Sequence, residues 1–139
     1  MIIVILSMNK KLIEEGDQLV LQFEKRAGLL PVIVQEHETG EVLMLGYAND
    51  EAFKKTIHSG MATFWSTSRG EIWTKGETSG DYLHVVHIRV DCDQDALLYQ
   101  VRLEGKGVCH TKNIQRQSRK SCFYRKYNKQ SQKLETIEP

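Results

Sequence analysis

The sequence lacks the features that would assign it to a membrane, an export route or a charged partner. Its N-terminal apolar run, Ile2 to Leu6, is far shorter than the ~20 residues of a membrane-spanning helix. No basic residue precedes this run, so it is not typical of a secretory signal either. The formal net charge of +1 identifies no partner. We therefore expect a cytoplasmic protein that is not bound to a membrane.

Cysteine is scarce, and its number is odd: the chain has three, at Cys92, Cys109 and Cys122. At least one would remain unpaired within the chain. Without an export signal the expected compartment is reducing, where cysteines bind metals or react more often than they form disulfides. No CxxC pair is present, so spacing alone leaves three unrelated buried cysteines as an alternative to a metal site.

Strand patterns dominate the chain, and no internal repeat is present. Strands are predicted by β-rich runs at residues 30–36, 41–47, 61–67, 71–75, 82–90 and 96–104. The first two form a predicted hairpin that turns at Gly40. Residues 9–28 fit either a helix or a strand. The opening MIIVILS fits an edge strand or a start upstream of Met8. The expected fold is mainly β with peripheral helices, with antiparallel sheets forming a pseudo-barrel or sandwich.

One short helix is predicted with clear boundaries, at residues 49–60. Asn49 or Asp50 would cap its N-terminus, Glu51 suits the first turn, and Gly60 would close it.

Three carboxylates alternate in the segment DCDQD, at Asp91, Asp93 and Asp95. On a straight strand their Cα atoms would lie ~6.7 Å apart, so the carboxylates converge only if the chain bends. Mg²⁺ or Ca²⁺ would then offset their repulsion, because both ions prefer carboxylate oxygens. An EF-hand loop is excluded, since Ala96 stands where it needs Gly and Arg102 where it needs Glu. An exposed acidic strand face is the alternative.

Cys92 lies between the first two aspartates. If the segment is extended, its thiol points away from the carboxylates and can reach a softer ion on the other side, in another subunit. Thiolates favour zinc over magnesium. Three cysteine ligands would leave a fourth position for water, as in catalytic zinc sites, and zinc can lower the pKa of that water to about 7.

Four blocks follow one another along the chain: SRGEIWTKGETSG, DCDQDALL, GKGVCHT and SCFYR. Together with GLLPVIVQ and EVLMLGY, they make the chain from about Phe23 to Arg125 resemble the phosphoribosyl-AMP cyclohydrolase family, which acts in the third step of histidine biosynthesis. The resemblance implies a zinc-dependent hydrolase that also uses magnesium and forms an intertwined homodimer. The implied substrate is a purine nucleotide with a second phosphoribosyl group on ring nitrogen 1. Water attacks ring carbon 6, and the ring opens.

The resemblance also implies the metal ligands. Zinc would be bound by Cys92 of one subunit with Cys109 and Cys122 of the other. Magnesium would be bound by Asp91, Asp93 and Asp95. His110 follows a zinc ligand and is the predicted catalytic acid and base, because an imidazole with a pKa near ~6.5 can accept a proton from water and pass it on.

Five residues are candidates for substrate binding. Arg69 and Lys75 would bind phosphate or ribose, because their charged groups suit phosphate oxygens. Trp73 would stack on the purine, although a strand tryptophan is more often a core residue. Glu77 would contact the ribose or orient Lys75, and Ser79 with the GETSG backbone would form a small anion-binding nest.

The chain departs from the family pattern at two places. Twelve residues separate Cys109 from Cys122, about twice the family spacing, so residues 111–121 are a predicted inserted loop. Such lengthening costs only ~0.5 kcal/mol of closure entropy, so the second thiol can be retained. Asp81 stands where family members often have histidine. We expect a single domain over 1–139, with its core at about 19–127.

Two other functions fit parts of the sequence. A zinc-stabilised RNA-binding module would use the cysteines, the aromatic residues Phe123, Tyr124 and Tyr127, and the basic C-terminal quarter. No RNP, KH or zinc-knuckle pattern supports it, so no nucleic-acid partner is expected. The other alternative is a non-catalytic structural zinc dimer. The basic residues themselves are more typical of a solvated surface. A second, pyrophosphohydrolase activity is not expected.

Overall fold

The computed structural model describes residues 2–137, with side chains described from residue 9 onward. In this part of the chain, helices α1 (Ile2–Glu15) and α2 (Asp50–Ser59) and a short 3₁₀ helix (Phe23–Arg26) accompany eight strands. The strands are β1 (Leu30–Glu36), β2 (Val42–Ala48), β3 (Thr63–Ser66), β4 (Glu71–Thr74), β5 (Leu83–Val90), β6 (Leu97–Leu103), β7 (Arg125–Asn128) and β8 (Lys133–Thr136). The mainly β prediction is confirmed. None of the described helices has the length and apolar character needed to cross a membrane.

The largest sheet has four strands in the order β2-β1-β6-β5. The β1–β2 and β5–β6 hairpins are antiparallel. The two hairpins meet through β1 and β6, which run parallel, with Ile33 opposite Leu98. The prediction of purely antiparallel sheets is therefore wrong at this pair. The described strands form one four-stranded and two two-stranded sheets, and these do not close into a barrel.

The apolar core lies between one face of this sheet, strand β3 and helix α2. Alternate residues of β1, among them Val32 and Val34, are fully buried. Phe53 of α2 and Phe64 of β3 belong to the same cluster. Gly46 of β2 is required for this packing, because a Cβ atom there would lie 2.7 Å from Cδ1 of Phe64.

Helix α2 begins and ends as its local signals predict. The Asn49 side chain accepts a hydrogen bond from the Ala52 N–H at 2.8 Å, which caps the first turn. Gly60 ends the helix with a φ of 75°, a left-handed conformation that glycine adopts without a steric penalty. Strand β1 likewise covers the predicted residues 30–36.

The N-terminal segment is helical from Ile2 to Glu15, so an edge strand at MIIVILS is wrong. The strand-like LVLQF does not form a strand and instead leads into the 3₁₀ helix. At the other end, β7 and β8 pair into a hairpin that the sequence analysis did not predict. Asn128 begins its turn, since its side-chain oxygen accepts the N–H groups of Gln130 and Ser131.

The face of the large sheet that points away from the core is apolar and exposed. Ile33, Leu45 and Tyr47 are 41%, 48% and 39% exposed. Strand register sets Ile33 beside both Leu45 and Leu98. We call this surface the outer face.

Candidate active site

The three aspartates converge because DCDQD forms a turn between β5 and β6. Gln94 donates its N–H to the Asp91 carbonyl at 3.1 Å and has a φ of 58°. One carboxylate oxygen from each of Asp91, Asp93 and Asp95 lies within 4.8 Å of the others. Among the described residues, this is the only group of three or more potential metal-ligating side chains that converge so closely. The alternative of an exposed acidic strand face is therefore wrong. The chain bends at this segment, as convergence of the carboxylates requires.

Two cations from the 3₁₀ helix neutralise this turn. The Lys25 ammonium lies 2.8 Å from Oδ2 of both Asp93 and Asp95. Arg26 Nη2 lies 3.2 Å from Oδ2 of Asp95, and Arg26 Nε donates to the Asp95 carbonyl at 3.0 Å. The Asp95 side chain is only 6% exposed. The hydrogen bond from Lys25 is the main reason that the pKa of Asp95 lies well below its usual range.

Asp91 has a different environment within the same turn. Its carboxylate accepts the N–H groups of Asp95 and Ala96 at 2.9 and 3.0 Å. Burial, followed by the neighbouring Asp95 side chain, nevertheless raises the pKa of Asp91 above its ordinary value. The sequence analysis missed Lys25 and Arg26 because 68 and 69 residues separate them from their partners.

The turn is also joined to the N-terminal segment through Gln94, which is buried with 6% exposure. Its side-chain oxygen accepts the Val20 N–H at 2.6 Å. Its side-chain nitrogen donates to the carbonyls of Ile13 and Gln18, both at 3.1 Å. The residues from the end of α1 to the 3₁₀ helix therefore lie against the aspartate turn.

A second site pairs Cys109 with Cys122, whose side chains lie close enough for each to shift the pKa of the other. The intervening segment folds back on itself, so that the Arg119 carbonyl accepts the Cys109 N–H at 3.0 Å. The Cys122 N–H donates to the Leu43 carbonyl of β2 at 2.7 Å. These bonds bring the ends of the segment together, so its length does not separate the two thiols.

The paired thiols differ in proton affinity. Burial is the largest single influence on the pKa of Cys109 and raises it, but hydrogen bonds from Thr111, together with Cys122 and the charge of Arg119, lower the pKa on balance. The Thr111 hydroxyl lies 2.9 Å from the Cys109 sulfur. Burial, followed by the charge of Cys109, raises the pKa of Cys122 to about 11. Both cysteines are free thiols. A soft cation would relieve the repulsion between two adjacent thiolates, so this donor pair fits zinc.

Cys92 is exposed in the aspartate turn and does not join the other two cysteines. The premise that its segment is extended is wrong, so its orientation does not follow from strand alternation. Register places the turn at the start of β6, beside Val32, whereas Cys122 is fixed to Leu43 further along the sheet. In the described part of the chain, no third cysteine, histidine or carboxylate completes the thiol pair.

Lys75 lies near Cys122, and Trp73 packs against the core. The charge of Lys75 is close enough to Cys122 to act against the rise in its pKa. The Lys75 nitrogen lies 6.0 Å from the centre of the Trp73 ring. Trp73 is partly buried and packs on the core, with its ring 5.3 Å from that of Phe64.

The other predicted site residues are mostly exposed. Arg69 follows β3 and pairs with Glu71 at 3.5 Å. Glu77 and Ser79 lie in the loop after β4, where the Ser79 hydroxyl accepts the Asp81 N–H at 3.2 Å. His110 is exposed and follows the buried Cys109.

Comparison with known proteins gives matches across this region. The model of the phosphoribosyl-AMP cyclohydrolase family matches residues 44–124. A phosphoribosyl-AMP cyclohydrolase of Desulfatibacillum aliphaticivorans is 52% identical over 105 residues, covering 76% of this chain and 79% of that protein. A phosphoribosyl-AMP cyclohydrolase of Archaeoglobus fulgidus is 55% identical over 106 residues, covering 76% of this chain and 91% of that protein.

A histidine biosynthesis bifunctional protein HisIE of Aquifex aeolicus is 50% identical over 107 residues, covering 77% of this chain and 49% of that protein. The matched residues include the aspartate turn, the loop after β4 and both cysteines of the thiol pair. The chain therefore belongs to the phosphoribosyl-AMP cyclohydrolase family.

Proposed function

We propose that this chain catalyses the zinc-dependent hydrolysis that opens the purine ring of phosphoribosyl-AMP, in the third step of histidine biosynthesis and in the cytoplasm. The observation that carries the proposal is the proximity of the Cys109 and Cys122 side chains, with Lys75 near Cys122, within a member of this family. Family membership disfavours an RNA-binding module, whose expected motifs are also missing from the sequence. It equally disfavours a purely structural zinc dimer.

Zinc bound by Cys109, Cys122 and a third thiolate would lower the pKa of a water molecule toward ~7. His110, exposed beside Cys109, is the proposed proton carrier. It would accept the proton of the attacking water and deliver it to ring nitrogen 1. The bond from water oxygen to carbon 6 would form, and the bond between carbon 6 and nitrogen 1 would break. The second proton of the water would move to the exocyclic nitrogen as carbon 6 becomes a carboxamide. The reaction consumes one water and needs no oxidant or reductant.

Magnesium is the proposed second metal, held by Asp91, Asp93 and Asp95. Three converging carboxylates are a donor set that suits a hard divalent cation. The turn also already attracts positive charge, since Lys25 and Arg26 contact it.

The substrate would lie across the loop after β4. Lys75, near the thiols, provides a positive charge for a phosphate or ribose beside the reacting ring. Arg69 and Ser79 would add contacts to the second phosphate, and Glu77 would contact the ribose. Trp73 is partly buried, so only its exposed part remains for stacking against the purine.

A homodimer would complete the zinc site. Cys92 does not converge with the thiol pair of its own chain, so a site with all three cysteines would take Cys92 from a second subunit. The outer face supports association with a second copy, because exposed apolar surface of this kind marks interfaces. No nucleic acid or membrane partner is proposed.

Mixed subunits test the reaction and the shared site together. The variants C92A and C122A should each lose ring-opening activity, followed by absorbance, and bind less zinc. Mixed and reassociated at equal amounts, about half the dimers combine the two variants, and each of these has one intact site out of two. Activity should return to about a quarter of the wild-type value.

If dimers that are shown to contain both variants recover no activity, the site is not shared between subunits. Full activity of the wild type after complete removal of zinc would refute the zinc dependence.

A further inference from the structure

We propose that Lys25 is a tethered cation that competes with divalent metal for the aspartate turn, so this lysine lowers the turn's affinity for divalent ions. The inference rests on the magnesium assignment in the proposed function. It goes beyond that assignment by giving a role to Lys25 of the 3₁₀ helix, which precedes the residues 44–124 matched by the family model.

The geometry of the Lys25 ammonium carries the proposal. Its nitrogen lies 2.8 Å from Oδ2 of Asp93 and 2.8 Å from Oδ2 of Asp95. It therefore bridges two of the three carboxylates that would bind the metal. A divalent ion bound by these carboxylates would repel an ammonium held so close to them. Metal binding therefore disfavours this position of Lys25.

The competitor is held near the turn by independent contacts. Gln94 binds the backbone at Ile13, Gln18 and Val20. The Gln22 N–H donates to the Gln94 carbonyl at 2.8 Å, only three residues before Lys25. These bonds keep the lysine at a high local concentration whether or not free cations are present. Its side chain, 52% exposed, can swing into solvent when a metal displaces it.

Arg26 is a weaker competitor. It contacts a single carboxylate oxygen, at 3.2 Å, and its Nε is already used by the Asp95 carbonyl. Arg26 does not bridge two carboxylates, so Lys25 is the stronger competitor for the metal.

Binding of Mn²⁺ to the full chain tests the proposal, with one equivalent of zinc added to occupy the thiols. Free Mn²⁺ is counted by its electron paramagnetic resonance signal. K25M should bind Mn²⁺ about three- to tenfold more tightly than the wild type, the scale expected for loss of two partly exposed ion pairs. K25R keeps the charge and should bind close to the wild-type level. K54M makes the same change on α2, where Lys54 pairs with Asp50 away from the turn, and should have no effect.

D93N identifies the site, since it should weaken Mn²⁺ binding in both the wild-type and K25M backgrounds. Unchanged or weaker binding by K25M, with its thermal unfolding unaltered, would overturn the competition. If neither the wild type nor K25M binds Mn²⁺ at this turn, the inference and the magnesium assignment both fail. The ring-opening reaction, measured separately, would still stand. Binding by K25M alone would support the inference in its strongest form.

Discussion

Gln94 joins the N-terminal segment to the aspartate turn, and its removal should release that segment. The side chain makes three hydrogen bonds, to the Val20 N–H at 2.6 Å and to the carbonyls of Ile13 and Gln18 at 3.1 Å. Replacement by alanine removes all three and leaves their backbone partners to be satisfied by water.

Three such bonds would contribute ~3 kcal/mol at a net value of ~1 kcal/mol each. Val20 is 47% exposed and Gln18 is also exposed, so water recovers part of this on release. We therefore expect a loss of ~2 kcal/mol in the free energy that holds the segment. At 1.4 kcal/mol per tenfold, opening of the segment should become about 25-fold more frequent.

Hydrogen exchange at the Gln22 amide measures this opening, since its acceptor is the main-chain carbonyl of Gln94 and survives the substitution. Q94N serves as a second variant, because asparagine tolerates the left-handed φ at this position but is too short to reach the same partners. Q100A is the control, as Gln100 makes one side-chain bond, to Gln35 at 3.0 Å. Exchange at Gln22 that stays within twofold of the wild type in both Q94 variants would refute the reasoning.

Two further predictions concern stability. Among the described residues the Tyr99 hydroxyl is buried without a hydrogen-bond partner. Y99F should therefore be neutral or stabilising by up to ~1 kcal/mol in urea unfolding, and a clear loss would show that the hydroxyl is satisfied. The hydrogen bond from Lys120, followed by that from Thr39, lowers the pKa of Glu36 below its ordinary value of 4.5. The Glu36 carboxylate therefore stabilises the folded protein above pH 4.5, and this contribution is lost as the pH falls through the lower pKa that Glu36 has in the folded state. E36Q should reduce the fall in the free energy of unfolding at acidic pH, whereas E38Q, at an exposed position in the same turn, should not. If the free energy of unfolding depends on pH equally in the wild type and E36Q, Glu36 is not the group responsible.

The elements predicted well from sequence are those whose signals are local. Strand β1 and helix α2 have their alternation, cap and closing glycine within a few residues of one another. The pairing of β1 with β6 has no such signal, because a hairpin pattern specifies neighbours along the chain and not which hairpins meet. The sequence analysis did not predict the helix at MIIVILS, because a short apolar run suits a strand or a helix equally.

In the candidate site, too, the features with local sequence signals were predicted, and the contacts between distant residues were not. The convergence of Asp91, Asp93 and Asp95 depends on a four-residue turn, so the sequence indicated what it required. The ion pair from Lys25 crosses 68 residues and could not be read from either segment. The pairing of Cys109 with Cys122 was predicted only from the family resemblance, since their spacing matches no metal-binding motif.

The parallel pair β1–β6 has a consequence for how the chain folds. Each hairpin of the large sheet can form from neighbouring residues within microseconds. Joining them requires closure across 65 residues, the separation of Gln35 from Gln100, which is entropically costly before any contact offsets it. During synthesis, β1 therefore emerges with one edge unsatisfied and keeps it until β6 has left the ribosome. That bare edge is the point at which nascent chains would associate wrongly, and docking of the two hairpins is the step that protects it.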